Sequence, residues 1–272
     1  MKIRRAGKTL SIYPKKSLGQ HFCQNSNLLS EVVKRLGVSS DDQVWEIGPG
    51  LGNLTKVLAP ISKELFVFEI DTRFKPFLEA ISEEHPNVVS LWGDVLKIDL
   101  QSLFPENKRL LVCGNLPYYC GSAIVQKFLR LDPSPAKMIF VLQKEVARKA
   151  FALPGSKDYG FFSASVQLFA KIVYGPEFSP DSFFPSPLVY SSLIELVPLQ
   201  LSKSERKIRE AARSLASIMF GNRRKMAIPL LKKSFPNVVP SWQERFESLK
   251  LTPKIRGEEI KLEELIFLSS GL

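Results

Sequence analysis

The chain has 272 residues, 44% hydrophobic and 24% charged, enough apolar material for one large domain or one domain with a smaller companion, and a composition that excludes wholesale disorder. Its net charge is +11; residues 198–272 hold 15 basic against 8 acidic side chains (+7), and Lys2, Arg4, Arg5, Lys8, Lys15 and Lys16 form a second basic cluster, so a polyanion such as nucleic acid is the expected partner. No apolar run reaches 18 residues, two histidines (His21 and His85) exclude a His-rich metal site, and Cys23, Cys113 and Cys120 lack metal spacing, which together read as a cytoplasmic protein with reduced thiols and no membrane span.

In chain order, the basic arm 1–20 runs into a motif that begins near Lys16 and leaves little room for a cleaved presequence. From residue 44, apolar runs alternate with helical patterns. VWEIG (44–48) reads as a strand and GNLTKVLAP (52–60) as a helix ended near Pro60. LFVFEID (65–71) is a second strand, TRFKPFLEAISEE (72–84) a helix and NVVSLWGD (87–94) a third strand. RLLVCGN (109–115) and AKMIFVLQ (136–143) read as the fourth and fifth strands, KEVARKAFA (144–152) and FFSASVQLFA (161–170) as helices, and KIVYGPEF (171–178) and YSSLIELVP (190–198) as closing strands. Such alternation implies an α/β fold with a parallel sheet covered on both faces. Beyond Pro198 the stretches 204–226, 240–249 and 257–268 all carry helical spacing. The expected division is therefore a catalytic domain over 1–197 and a small all-α domain over 198–272.

Three strand ends carry chemistry. EIGPGLG (46–52) follows the first strand, with glycines spaced G-x-G-x-G at Gly48, Gly50 and Gly52, not the G-x-G-x-x-G of dinucleotide binders. Glu69 ends the second strand, where an acid can accept both hydroxyls of a ribose, and Asp94 follows the third, where it can accept from an adenine amino group. In an open α/β sheet these ends line one crevice. The layout resembles the Rossmann-like methyltransferases that use S-adenosylmethionine (AdoMet), which have no pyrophosphate to cradle.

The fourth strand ends in Asn115-Leu116-Pro117-Tyr118, which matches the signature of enzymes that methylate exocyclic amino groups. Adenine N6 is a poor nucleophile because its lone pair is delocalised into the ring. The Asn115 carboxamide oxygen and the Leu116 carbonyl can accept its two N–H groups, draw the nitrogen toward tetrahedral geometry and free the lone pair. Pro117 fixes the backbone and Tyr118 offers a stacking face. Phe183 or Phe184, in FFPSPLVYSS (183–192), is expected to close the other face of the base.

These residues resemble the small-subunit ribosomal RNA adenine dimethyltransferase family, over nearly the whole chain. The resemblance runs from KKSLGQHFCQNSNLL (15–29) through VWEIGPGLGNLT, FEID, GDVL, GNLPY and FFPSPLVYSS to FGNRRKM (220–226). It implies AdoMet contacts at His21, Cys23, Gly48, Glu69, Asp94 and Asn115, through the backbone or a ring N–H at His21 and through the backbone at Cys23. It implies Asn115, Leu116, Pro117, Tyr118 and Phe183 at the reacting end, and phosphate contacts from Lys15, Lys16, Arg223, Arg224 and Lys225. The family reaction transfers four methyl groups to two adjacent adenosines near the 3′ end of small-subunit rRNA. The expected partners are that rRNA and the immature small subunit, with the protein itself a monomer. The chain departs from the family pattern at Tyr119 and Cys120, where small polar residues are more usual. Methylation of large-subunit rRNA and a non-catalytic nucleic-acid-binding role on the same fold are the alternatives; the intact set Gly48, Glu69, Asp94 and Asn115 favours an enzyme.

Overall fold

The structure, a computed structural model, describes residues 13–15, 17–106 and 108–272 in full and, for Lys2–Arg5, Lys8–Ser11 and Lys16, the backbone alone. The chain divides into two compact units. The first comprises Met1–Ile124, Ala136–Lys144 and Gly175–Glu195; the second comprises Val125–Pro135, Glu145–Tyr174 and Leu196–Leu272. The second unit thus holds the whole of the helical tail together with two segments from earlier in the chain.

The central sheet has seven strands: β1 (Gln43–Ile47), β2 (Glu64–Glu69), β3 (Val88–Trp92), β4 (Leu110–Asn115), β5 (Lys137–Gln143), β6 (Ala170–Phe178) and β7 (Ser191–Pro198). Their order is β3-β2-β1-β4-β5-β7-β6, and the first five pair in parallel. All five residues of β1 and the first five of β4 are buried, as expected of strands covered on both faces. Chain order reverses between β1 and β4, which places a ligand-binding crevice at their carboxyl ends. These two strands approach closely at Gly114, where a Cβ would sit 2.5 Å from the Ile47 carbonyl oxygen. That approach sets Asn115 beside the glycine turn.

Helix α1 (Ser26–Leu36) illustrates how the covering layer forms. Asn25 caps it by accepting from the Asn27 and Leu28 N–H groups at 2.9 and 3.2 Å, and Gly37 ends it with φ of 63°. Leu28, Val32 and Leu36, spaced four apart, bury one face in the core of the first unit with Val44, Leu65, Val67, Leu111 and Ile139. The helix expected over 52–60 is shorter: α2 spans Thr55–Leu58 and passes into a 3-10 turn over Ala59–Ile61. Helix α3 (Lys75–Glu84) buries Phe77, Leu78 and Ile81. Helix α4 (Gly121–Leu129), unannounced by periodicity, starts where the Pro117 carbonyl accepts from Cys120 and Gly121.

In the second unit, α5 (Lys144–Phe151, all but its first residue) and α6 (Phe161–Phe169) are followed by α7 (Lys203–Phe220), α8 (Ala227–Ser234), α9 (Trp242–Ser248) and α10 (Leu262–Ser269). A Ser202–Glu205 capping box opens α7, and Ala212, Leu215, Ala216 and Met219 form its buried stripe. The helix stops at Gly221, so the expected span to residue 226 is too long. Arg223, Arg224 and Lys225 lie in the turn before α8, not on a helix. Among the described residues no helix is long and apolar enough to cross a membrane.

Candidate active site

A cavity of about 1140 Å³, including its open mouth, lies in the first unit at the carboxyl ends of β1, β2 and β4. At one end of it the chain turns through Gly48, Pro49 and Gly50. Gly50 has φ of +55°, and a Cβ there would press to 3.1 Å on the Phe22 ring, so a side chain at this position is strained and crowded. The Gly50 N–H donates to Glu69 Oε2 at 3.0 Å, and the Asp71 N–H donates to Glu69 Oε1 at 2.8 Å. Glu69 is 5% exposed. Burial pushes its carboxyl up, and the two backbone donors pull it back. Asp94 accepts from the Leu96 N–H at 2.9 Å through Oδ1 and keeps Oδ2 free of partners among the described residues.

Beneath the turn sits Glu46, a cavity-lining carboxyl that is fully buried within β1. Its Oε2 accepts from the Thr55 hydroxyl at 2.7 Å. Burial raises it to about 8, with a further push from the Glu69 charge, so it is predominantly neutral at pH 7.

At the other end, Asn115 closes β4. Its Nδ2 donates to the His21 carbonyl at 2.7 Å, which fixes the amide's orientation and leaves Oδ1 as an acceptor with no partner among the described residues. The Leu116 carbonyl likewise accepts nothing there, while the Leu116 N–H is held by Val141. Tyr118 stacks on the His21 ring, centroids 5.0 Å apart at 26°, and its hydroxyl bonds the Ser191 Oγ at 3.0 Å. The His21 Nδ1–H donates to the Pro185 carbonyl at 2.6 Å. The residue after Tyr118 also belongs to the wall: the Tyr119 ring lies against the Gly19 backbone, and its hydroxyl is pushed up to about 12 by burial, by Cys120 and by the Asp94 and Glu69 charges. Tyr119 and Cys120, the departures from the family pattern, both line the cavity.

The structure brings together His21, Cys23, Gly48, Glu69, Asp94, Asn115, Leu116, Pro117 and Tyr118 around this one cavity. The Cys23 thiol turns inward to the Asn25 carbonyl, and its own carbonyl accepts from Asn53. Phe183 stands apart from this set. It does not line the cavity but packs at 3% exposure in the core with Cys23, Val141 and Leu193. The two-residue ladder Phe22–Cys23 with Phe183–Phe184 explains this, because alternation sends Phe183 inward and leaves Phe184 38% exposed.

Of the residues expected at phosphate, the Lys15 ammonium is 3.8 Å from Asp71, and the Lys16 side chain lies outside the described residues. In the second unit Arg223 is tied to Glu258 at 2.9 Å and to the Lys157 carbonyl, whereas Arg224 and Lys225 have exposed side chains. The sequence reading did not find Gln20, Asp71 and Arg73, which lie beside Glu69. Asp71 stands two residues after Glu69 in the same FEID motif, which was the available signal.

The model of a family described as ribosomal RNA adenine dimethylase matches residues 13–255. The chain is 33% identical to a ribosomal RNA small subunit methyltransferase A of Lactiplantibacillus plantarum, over 97% of this chain and 92% of that one. It is 34% identical to a protein of the same name from Bacillus pumilus, over 95% and 91%. A dimethyladenosine transferase from Plasmodium falciparum shares the fold with a TM-score of 0.76 at 24% identity, covering 91% of this chain and 96% of that one. The 23S rRNA methyltransferase ErmE does so with a TM-score of 0.66 at 22% identity, covering 91% and 98%.

Proposed function

The chain belongs to the ribosomal RNA adenine dimethylase family and is an AdoMet-dependent rRNA adenine dimethyltransferase; from that premise we propose that its substrate is small-subunit rRNA. We assign it four methyl transfers to N6 of two adjacent adenosines near the 3′ end, carried out in the cytoplasm by a monomer acting on the immature small subunit. The names of its relatives support the small subunit. The likeness to a 23S enzyme concerns the fold alone.

The residues present suit AdoMet. The glycine turn carries left-handed φ at Gly48 and Gly50 that suits glycine alone, Glu69 and Asp94 offer acceptors for ribose hydroxyls and an adenine amine, and a neutral Glu46 underlies the turn. His21 and Cys23 complete that wall through their backbone. When bound, AdoMet supplies an electrophilic methyl group on a sulfonium.

One observation carries the chemical assignment: Asn115 donates Nδ2–H to the His21 carbonyl, so Oδ1, together with the Leu116 carbonyl, forms a pair of unfilled acceptors at the end of β4. These two hold the N–H groups of an adenine N6 and favour its tetrahedral form, in which the lone pair is available for in-line attack. After transfer the nitrogen's extra proton leaves to solvent, and no strong base is required. The second transfer uses the remaining N–H after the monomethyl amine rotates. The base itself extends the His21–Tyr118 stack. Residues 198–272 form the RNA-binding domain, with Arg224 and Lys225 for phosphate, Arg223 bracing their turn through Glu258, and Lys15 and Lys16 adding charge from the arm.

The test is to map dimethyladenosines in rRNA from cells lacking this protein. Loss confined to two adjacent adenosines near the small-subunit 3′ end is expected. An unchanged small subunit with a change in large-subunit rRNA would transfer the assignment to that particle.

A further inference from the structure

Segment 13–23 forms one wall of the cavity through Leu18, Gly19, Gln20, His21, Phe22 and Cys23. On the side nearest Glu69, a cluster centred on one carboxylate holds this wall. Asp71 follows β2, and its side chain is 1% exposed. Its Oδ2 accepts from Gln20 Nε2 at 2.8 Å and from an Arg73 terminal nitrogen at 2.6 Å. Its Oδ1 accepts from Arg73 Nε at 2.9 Å and lies 3.8 Å from the Lys15 ammonium. Arg73 reaches on to the Tyr13 carbonyl at 3.0 Å, and the Lys15 N–H donates to Gln20 Oε1 at 2.8 Å. The Asp71 N–H holds Glu69 Oε1. Asp71 does not itself line the cavity.

We propose that Asp71 is a positioning residue of the cofactor end: its side chain pins the N-terminal wall and its N–H orients Glu69, so it sets AdoMet affinity without touching the cofactor. The inference rests on the reading of Glu69 as the ribose acceptor. Bonds to a charged carboxylate are the strong ones, and here the side chains of Lys15, Gln20 and Arg73 converge on one such carboxylate. The opposite side of the wall is held separately, by Asn115 on the His21 carbonyl and Asn53 on the Cys23 carbonyl. Losing Asp71 therefore loosens the wall beside Glu69 and leaves the reacting end in place.

The experiment is calorimetric titration of AdoMet into the full chain, with steady-state methyl transfer on small-subunit rRNA, for Asp71→Ala, Gln20→Ala and Glu69→Ala. Asp71→Ala is expected to raise the Kd and KM for AdoMet roughly tenfold or more, while kcat at saturating AdoMet falls by less than about threefold. Gln20→Ala cuts one tie to the wall without leaving a buried charge, and a few-fold rise in Kd is expected (about threefold); it keeps the test open should Asp71→Ala not fold. Unchanged affinity in both folded variants, with affinity lost in Glu69→Ala, overturns the positioning role. A fall in kcat as large as the fall in affinity also overturns it. Unchanged affinity in Glu69→Ala overturns the cofactor reading itself, and the proposal with it.

Discussion

At the cofactor end of the cavity Glu69 is buried and both of its oxygens are held by backbone N–H groups. At the reacting end Asn115 has its N–H fixed and its oxygen without a partner among the described residues, beside a stack of two partly exposed rings. The first arrangement is nearly complete in the protein alone. The second has acceptors and ring faces that only a substrate fills. Pre-satisfied polar groups resist rearrangement and so favour tight, selective binding of a small molecule. Unfilled acceptors aimed at one atom act where charge develops and so bear on rate. Substitutions at the two ends should therefore separate affinity from turnover.

The largest effect is expected at Asn115. Removing one positioned acceptor at a reacting atom is worth about a hundredfold to a thousandfold in kcat. Asn115→Ala should lower single-turnover methyl transfer by that order while RNA binding stays near wild type. Full-rate transfer by Asn115→Ala would mean that the reacting end is built from other groups and that the contrast drawn above is false.

How far this contrast was legible in the sequence depended on whether a residue's role lies in its own motif or in a distant partner. Gly48, Glu69 and Asp94 each close or follow an apolar strand, so the strand pattern predicts that they meet, and Asn115 joins them through its strand-end NLPY motif. The four-residue α2 and the start of α4 were less visible, because short helices at a glycine turn and after a Leu-Pro step are set by local bonds rather than by a repeating apolar stripe. Asp71 was passed over because its partners, Gln20 and Lys15, are more than fifty residues away in sequence. The inward facing of Phe183 is hidden in the sequence for a related reason. Its facing depends on pairing with Cys23, a two-residue ladder too short to show as alternation.

That facing gives the next prediction. Truncating a buried aromatic costs about 3 kcal/mol or more, so Phe183→Ala should lower the melting temperature sharply. Phe184→Ala should leave it nearly unchanged, within about 0.5 kcal/mol, since its ring is partly exposed. If Phe184 stacks on the base, its loss should lower kcat/KM for RNA about tenfold. Activity lost in Phe183→Ala at an unchanged melting temperature would instead return the base-facing role to Phe183.

Glu46 sharpens the cofactor side through pH. Its carboxyl is raised from the ordinary 4.5 to about 8 in the folded chain. Folding therefore binds this proton more tightly than the unfolded chain does. The stabilisation is fully present below pH 4.5 and is lost as pH rises through the window up to about 8. Within that window the slope is about 1.4 kcal/mol per pH unit, or roughly 2 to 3 kcal/mol between pH 5.5 and 7.5. Glu46→Gln keeps a neutral side chain at all pH values, so this slope should disappear from denaturant melts of the variant. An identical slope in wild type and Glu46→Gln would place the titrating group elsewhere.

The smallest effect is expected where the reacting end uses a ring and not its hydroxyl. Tyr118 bonds Ser191 through its oxygen and stacks on His21 through its face. Burial raises the phenol above its ordinary value, so it stays protonated at neutral pH and supplies no base. Tyr118→Phe keeps the ring and loses one hydrogen bond, worth about 1 kcal/mol of stability. The rate of methyl transfer should change by less than about threefold, because positioned acceptors rather than proton transfer account for the chemistry. Tyr118→Ala, which removes the ring, should be far worse than Tyr118→Phe in kcat/KM for RNA, by roughly tenfold or more. A loss in Tyr118→Phe as deep as in Tyr118→Ala would make the hydroxyl a participant in the reaction, and the reacting end would then depend on a proton that the acceptor pair at Asn115 and Leu116 does not need.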